Sequence, residues 1–141
     1  YFTGFVPYEK LPGYLAVSDA FVTASVTEVH PLSVIEAMAA GLPVLGISSP
    51  GVGDTIQDGV TGLLAPDNDI ATFTAKMVRL VTAHAERHHM GQQASIEANK
   101  YDIENTTNLM IQNYQEVVDQ ATKRRESLRK QIFRAFPRRS S

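Results

Sequence analysis

The stretch that most constrains the fold is residues 22–49, VTASVTEVHPLSVIEAMAAGLPVLGISS. Residues 21–24 (FVTA) are a short apolar run, as expected of a strand buried on both faces. Residues 25–30 form a loop that holds Glu28 and His30. Pro31 suits the first helical position, where its missing N–H costs nothing. Residues 32–40 predict a helix, dense in Ala, Leu, Ile and Met, and Gly41 stops it. Past Leu42 and Pro43, residues 44–47 (VLGI) predict a second buried strand. Strand, helix, strand makes a βαβ unit with parallel strands. Open α/β sheets bind ligands at the carboxyl ends of such strands. Glu28 stands in the loop there, and Glu36 stands on the helix that follows.

Composition bounds the rest. At 141 residues the chain is about one domain, and an apolar content of 43% is ordinary for a globular protein. A net charge of −2 calls for no polyanionic partner. The absence of cysteine excludes disulfides and thiolate metal sites, and fits the cytoplasm. No apolar stretch reaches the roughly 18 residues a membrane span needs. The chain opens at Tyr1 on a strand-like run without an initiator Met, so it is read as a fragment.

Before the central unit, residues 1–6 (YFTGFV) read as a strand interrupted at Gly4 and ended by Pro7. Residues 8–18 have roughly helical spacing in Leu11, Leu15 and Val17, with Pro12 in the first turn. After it, residues 48–54 (SSPGVGD) are a loop at the carboxyl end of a strand. Asp54 is either the N-cap of a helix over residues 55–58 or a ligand-facing acid; the two are compatible. Residues 63–65 predict a third strand, and residues 70–84 a helix capped by Asp69 with Phe73, Met77, Leu80 and Val81 on one stripe. His84 and His88 could share a helical face, but no third ligand accompanies them, so no metal site is expected. Residues 95–100 predict a helical piece, and Asn105 or Thr106 caps a final long helix bearing Leu109, Tyr114, Val117, Val118 and Ala121. From Lys123 the chain turns basic, with Leu128, Ile132, Phe133 and Phe136 among its Lys and Arg residues. Residues 123–139 are either an amphipathic tail for an anionic membrane surface, a solvated helix end, or a segment packed on a domain outside this sequence. No nucleic-acid partner is expected, since the rest of the chain has no basic face.

The central stretch resembles the family-four retaining glycosyltransferases of the GT-B fold. They carry two glutamates separated by seven residues, here Glu28 and Glu36, with FVTAS before the pair and EAMAAGLPV after it. The text DGVTGLLAPD also resembles the family. The resemblance covers residues 1 to about 101 and implies the later part of a Rossmann-like donor domain: parallel strands alternating with helices over residues 1–105, then a C-terminal helix and basic tail over 106–141. It implies a nucleotide-diphosphate sugar as donor substrate, no cofactor, and transfer with retention of configuration to a lipid or saccharide acceptor. By carry-over, Glu28 is the candidate catalytic carboxylate and holds donor-sugar hydroxyls, while Glu36 holds the ribose hydroxyls. Carboxylates are two-oxygen acceptors that match the paired donors of a vicinal diol. Backbone at Gly4, Phe5 and Val6 would meet the nucleobase, although a plain turn explains these residues equally well. Gly51 and Asp54 would lie near the sugar. Amides near His30 and Leu32, at a helix N-terminus, would face the diphosphate.

Two departures stand out. The family commonly has Gly-aromatic-Gly after the first glutamate, whereas this chain has Val29-His30-Pro31. Pro31 has no N–H to donate; either the His30 ring replaces that contact or it packs in the loop. The family's Arg/Lys pair for the diphosphate has no counterpart, and neither Lys10 nor Lys76 matches it. The strands that bear that pair, and the N-terminal acceptor domain, are absent from this sequence. The fragment is therefore expected to be inactive alone, to form a sheet of three to four strands, and to self-associate or dock on the remainder of its parent. The competing classes are a non-catalytic GT-B relative and a nucleotide-sugar-binding or interaction module. A sugar-nucleotide epimerase is disfavoured by the glutamate spacing.

Overall fold

A computed structural model describes residues 1–135 of the chain. It divides into two units, Tyr1–Tyr101 and Asp102–Ser141. The first is an α/β body built on a three-stranded parallel sheet. In chain order it has a 3₁₀ turn at Tyr8–Lys10, α1 (Leu11–Ala16), β1 (Phe21–Val22), α2 (Leu32–Ala39), β2 (Val44–Ile47), α3 (Val52–Thr55), β3 (Gly62–Ala65), α4 (Ile70–Thr82), α5 (His84–Ala98) and a 3₁₀ turn at Asn99–Tyr101. The second unit is one helix, α6 (Ile103–Ala135).

The strand order is β1-β2-β3. Phe21 and Val22 pair with Val44 and Leu45, and residues 44–47 pair with 62–65. All four residues of β2 are buried, because the sheet is covered on both faces. On one face Val44 packs with Val34, Ala37 and Met38 of α2, Val52 and Ile56, and Ala94 and Ala98 of α5. On the other, Leu45 and Leu63 pack with Leu80 of α4 and Met90 of α5. The neighbours β2 and β3 therefore read as continuous apolar runs. Gly91 lets α5 lie directly on the turn after α2: a Cβ there would stand 2.2 Å from the Gly41 carbonyl oxygen.

The structure moves several expected boundaries. Residues 1–6 form no strand, and Phe2 and Phe5 are fully exposed. A strand exists only through its ladder, and among the described residues none lies beside this segment. Pro31 is the N-cap of α2, not its first helical residue. The helix expected over residues 55–58 lies earlier, at Val52–Thr55. The single helix expected over 70–84 breaks at Ala83, and residues 95–100 begin no new helix but complete α5 and the second 3₁₀ turn. Arg87 explains the break: its guanidinium donates to the Leu80 and Val81 carbonyls at the end of α4 and to Asp19 Oδ1 at 2.8 Å. Those carbonyls are the unpaired acceptors of a helix C-terminus. Neither Asn105 nor Thr106 caps α6, which starts at Ile103 with its N–H on the Asp102 carboxylate. Asp69 does cap α4, accepting from the Thr72 N–H at 2.9 Å.

A salt bridge closes the β3 end. Asp58 accepts from the Leu64 N–H at 2.8 Å and from Lys76 Nζ at 3.0 Å, and Lys76 also donates to the Leu64 carbonyl. Partial burial pushes the Asp58 carboxyl up, but the Leu64 N–H and Lys76 outweigh it and hold it below its ordinary value of 3.8. A carboxyl with a lowered folded pKa contributes stability above its unfolded pKa and loses it as pH falls through the folded one. The melting temperature is therefore expected to drop as pH falls below about 4. Asp58→Asn should be less stable at pH 7 and show a smaller acid-side drop in a pH series of thermal melts.

Candidate functional site

Parallel strands put the ends of β1 and β2 on one edge of the sheet. The loop after β1 carries Glu28, half-buried, and His30, exposed; the loop after β2 carries Gly51 and leads to Asp54. The two loops touch. Gly51 is buried with φ +79°, and a Cβ on it would lie 2.0 Å from the Glu28 carbonyl oxygen and 2.9 Å from that of Val29. Its own N–H donates to Asp54 Oδ2 at 3.1 Å, and its carbonyl accepts from the Thr55 hydroxyl at 2.7 Å. Ser49 Oγ adds a longer contact to the Ser25 carbonyl, at 3.4 Å. The backbone position of Glu28 is thus set by Gly51, and Gly51 by Asp54 and Thr55.

Asp54 is not an N-cap. It lies in α3 and reaches back to Gly51, so its carboxylate works on the loop that supports Glu28. Glu36 lies midway along α2 and is half-buried. Its Oε1 accepts a hydrogen bond from the Tyr8 hydroxyl at 2.7 Å. Both the bond and the proximity of the Glu36 carboxyl raise the pKa of Tyr8. Through that bond the segment bearing Gly4, Phe5 and Val6 is tied to α2. Of these three only Val6 is partly buried, and Gly4 has φ +66°. The Leu32 N–H, expected to face a ligand, donates to the His30 carbonyl at 3.0 Å. Pro31 is buried, and Leu32 is exposed at the start of α2. The His30 ring meets that of Tyr101 in a tilted contact, centroids 6.1 Å apart.

Glu28, Gly51 and Asp54 therefore form one supported loop pair, while Glu36 and Tyr8 form a second polar contact on α2. Sequence reasoning missed Tyr8. Its partner is 28 residues away, and the only local signal was its place directly after the Val6-Pro7 turn. At the opposite end of the sheet, His84, Arg87, His88, Ser18 and Asp19 line a cavity of about 430 Å³. Among the described residues no group of three or more His, Cys, Asp or Glu side chains could hold a metal ion.

The profile of the family described as glycosyl transferases group 1 matches residues 1–96. The chain belongs to this family. Group 1 relatives include a sulfoquinovosyl transferase of Arabidopsis thaliana, 36% identical over 104 residues, which are 72% of this chain and 20% of that protein. A 2-deoxystreptamine N-acetyl-D-glucosaminyltransferase of Streptomyces fradiae is 36% identical over 95 residues, 67% of this chain and 22% of its own. The solved sucrose-phosphate synthase from Thermosynechococcus elongatus superposes with a TM-score of 0.75 at 27% identity, over 84% of this chain and 30% of that one. The chain thus spans about a fifth of the length of these curated group 1 relatives. The family and GT-B resemblance carried by Glu28, Glu36 and their flanks is borne out.

The close approach of Gly51 gives a discriminating pair of substitutions. Gly51→Ala should destabilise by about 2–4 kcal/mol, from the left-handed backbone and the overpacked carbonyls together. Gly53→Ala should cost little, since a Cβ there meets nothing nearer than 3.6 Å. Urea denaturation of both variants checks this, and equal losses would remove the assigned role of the Gly51 contact.

Proposed function

We propose that this chain is the donor-binding part of a retaining glycosyltransferase that takes its sugar from a nucleotide diphosphate. The observation that carries the reading is the placement of two carboxylates around one βαβ unit. Glu28 stands in a loop fixed from below by Gly51, and Glu36 on the helix that follows. In this reading Glu28 receives donor-sugar hydroxyls and Glu36 the ribose diol, each offering two lone-pair-bearing oxygens to paired O–H donors. Gly51 and the loop around it border the sugar, and the start of α2 faces the diphosphate, where helix N–H groups and the helix dipole favour negative charge. The engagement of the Leu32 N–H by the His30 carbonyl removes one such donor, and in this reading a ring N–H of His30 takes its place. Backbone at Gly4, Phe5 and Val6 borders the base.

The reaction breaks the bond between the anomeric carbon and the diphosphate oxygen. It forms one from the same face to an acceptor oxygen, whose proton leaves with the diphosphate. The protein's contribution is to hold the leaving group and stabilise its charge. The acceptor is bound by the facing domain of the GT-B fold, so this chain alone is expected to bind donor without transferring. A thermal-shift series with UDP-, GDP- and ADP-sugars tests the reading. A ligand that binds only the folded state raises the melting temperature, and millimolar affinity suffices at high concentration. A shift with one base, lost in Glu36→Ala, is the expected result; no shift with any donor sinks the reading.

The described part of the tail favours a lipid or membrane-linked acceptor. Lys123, Arg124, Arg125, Arg129 and Lys130 are all exposed on α6 around Leu128, against one acid, Glu126. Phe136, Arg138 and Arg139, and the side chains of Ile132, Phe133 and Arg134, lie outside the described residues. A basic helix with an apolar strip is attracted to anionic lipid by about 1 kcal/mol per cation near the surface. Co-sedimentation with phosphatidylserine vesicles should be lost when Arg124, Arg125 and Arg129 are changed to Glu. Unchanged sedimentation would leave α6 as a solvated helix.

A further inference from the structure

The contact between Tyr8 and Glu36 joins two segments that nothing else in the sequence relates. Pro7 sets the entry with φ −59° and ψ 144°, and the 3₁₀ turn at Tyr8–Lys10 then carries the phenol over the flank of α2. Tyr8 remains largely exposed, at 72%, so burial does not account for its position. The ring borders a groove of about 390 Å³ that Leu11, Leu15, Ala39 and Ala40 also line. The one polar event there is the 2.7 Å bond from the hydroxyl to Glu36 Oε1.

A glutamate on a helix surface has three side-chain torsions, and its terminal one is broad. Left to itself the carboxyl turns freely, and a diol that binds it must first stop that rotation. A single fixed donor on one oxygen removes most of the freedom in advance. It leaves the second oxygen, and the second lone pair of the first, for an incoming pair of hydroxyls. Preorganisation of this kind raises affinity by cutting the ordering cost of binding.

We propose that Tyr8 is a positioning residue for the ribose subsite: its hydroxyl holds the Glu36 carboxyl in the orientation that receives the nucleotide diol. The inference rests on the reading of Glu36 given above. It also makes the turn after Gly4, Phe5 and Val6 part of the donor site, because the segment assigned to the base and the carboxylate assigned to the ribose are then one hydrogen-bonded unit. Tyr8 itself touches no substrate in this arrangement.

The test compares a diol with its absence. Binding of UDP, GDP and ADP to the 141-residue chain is measured by titration, each alongside its 2′,3′-dideoxy counterpart, for the unsubstituted chain, Tyr8→Phe and Glu36→Ala. The chain should prefer one ribonucleotide to its dideoxy form, and Glu36→Ala should abolish that preference. Tyr8→Phe should weaken the ribonucleotide by about fivefold, the worth of one ordinary hydrogen bond, and leave the dideoxy form unchanged. A purely structural role would weaken both forms equally or neither, and either result overturns the inference while Glu36 keeps its role. If the unsubstituted chain binds none of the three, or shows no diol preference that Glu36→Ala removes, the reading of Glu36 itself falls and the inference with it.

Discussion

Everything in the first unit hangs on β2. Its four residues, Val44 to Ile47, all pair with β3, Val44 and Leu45 pair with β1 as well, and all four are buried under helices on both faces. Burying a Val, Leu or Ile side chain fully contributes about 1.5–3 kcal/mol, and β2 supplies Val44 to one apolar cluster, Leu45 to the other, and a buried Ile47 beside them. Its parallel pairing is also what makes a site possible. Because β1 and β2 run the same way, the loops that follow them emerge at one edge, and a glycine in one loop can rest on the carbonyl of a glutamate in the other. The site is therefore a consequence of strand direction first and of side-chain chemistry second.

That hierarchy explains what could be read from the sequence. The βαβ unit was legible because each of its parts carries a local signal, the apolar runs, the small-residue helix and the glycine that ends it, but the first strand is only Phe21–Val22 with Val22 exposed, where residues 21–24 read as a strand buried on both faces. The boundaries of β2 and the Asp69 cap followed from such signals. The candidate carboxylates were legible only through the resemblance, since nothing in a lone glutamate distinguishes ligand from solvent-facing charge. What failed was non-local. Residues 1–6 have a strand's composition, but a strand is made by its neighbour. The break at Ala83 carries no Gly or Pro, and is produced by Arg87 closing on the end of α4 from beyond it. Asp54 looked like a cap from its position before a helix, whereas the helix begins earlier and the carboxylate reaches back to Gly51. Tyr8 was invisible for the same reason, its partner being 28 residues distant.

The distribution of charge carries the argument one step further. Residues 1–101 contain five lysines and arginines: Lys10, Lys76, Arg79, Arg87 and Lys100. Four are engaged in ion pairs, with Asp58, Glu86, Asp19 and Glu97 respectively. These pairs involve exposed or half-exposed groups, where solvent screening leaves each with little to contribute to stability. What bears on the proposed site is that, among the described lysines and arginines of this unit, Lys10 is the one for which no ion pair is found. In the proposed function a diphosphate would carry its charge into a region where this chain offers carboxylates, a histidine and helix amides. On the proposed reading, recognition and neutralisation are then separate tasks. In that reading this chain supplies recognition through two carboxylates, Glu28 on a backbone set by Gly51 and Glu36 bonded to the Tyr8 hydroxyl. In the same reading, neutralisation of the leaving group would fall to donors other than the four paired lysines and arginines of residues 1–101. Such a division would favour selectivity over affinity: if Tyr8 positions Glu36 as proposed, its bond acts on the geometry that receives the diol and leaves the charge of the ligand to other donors.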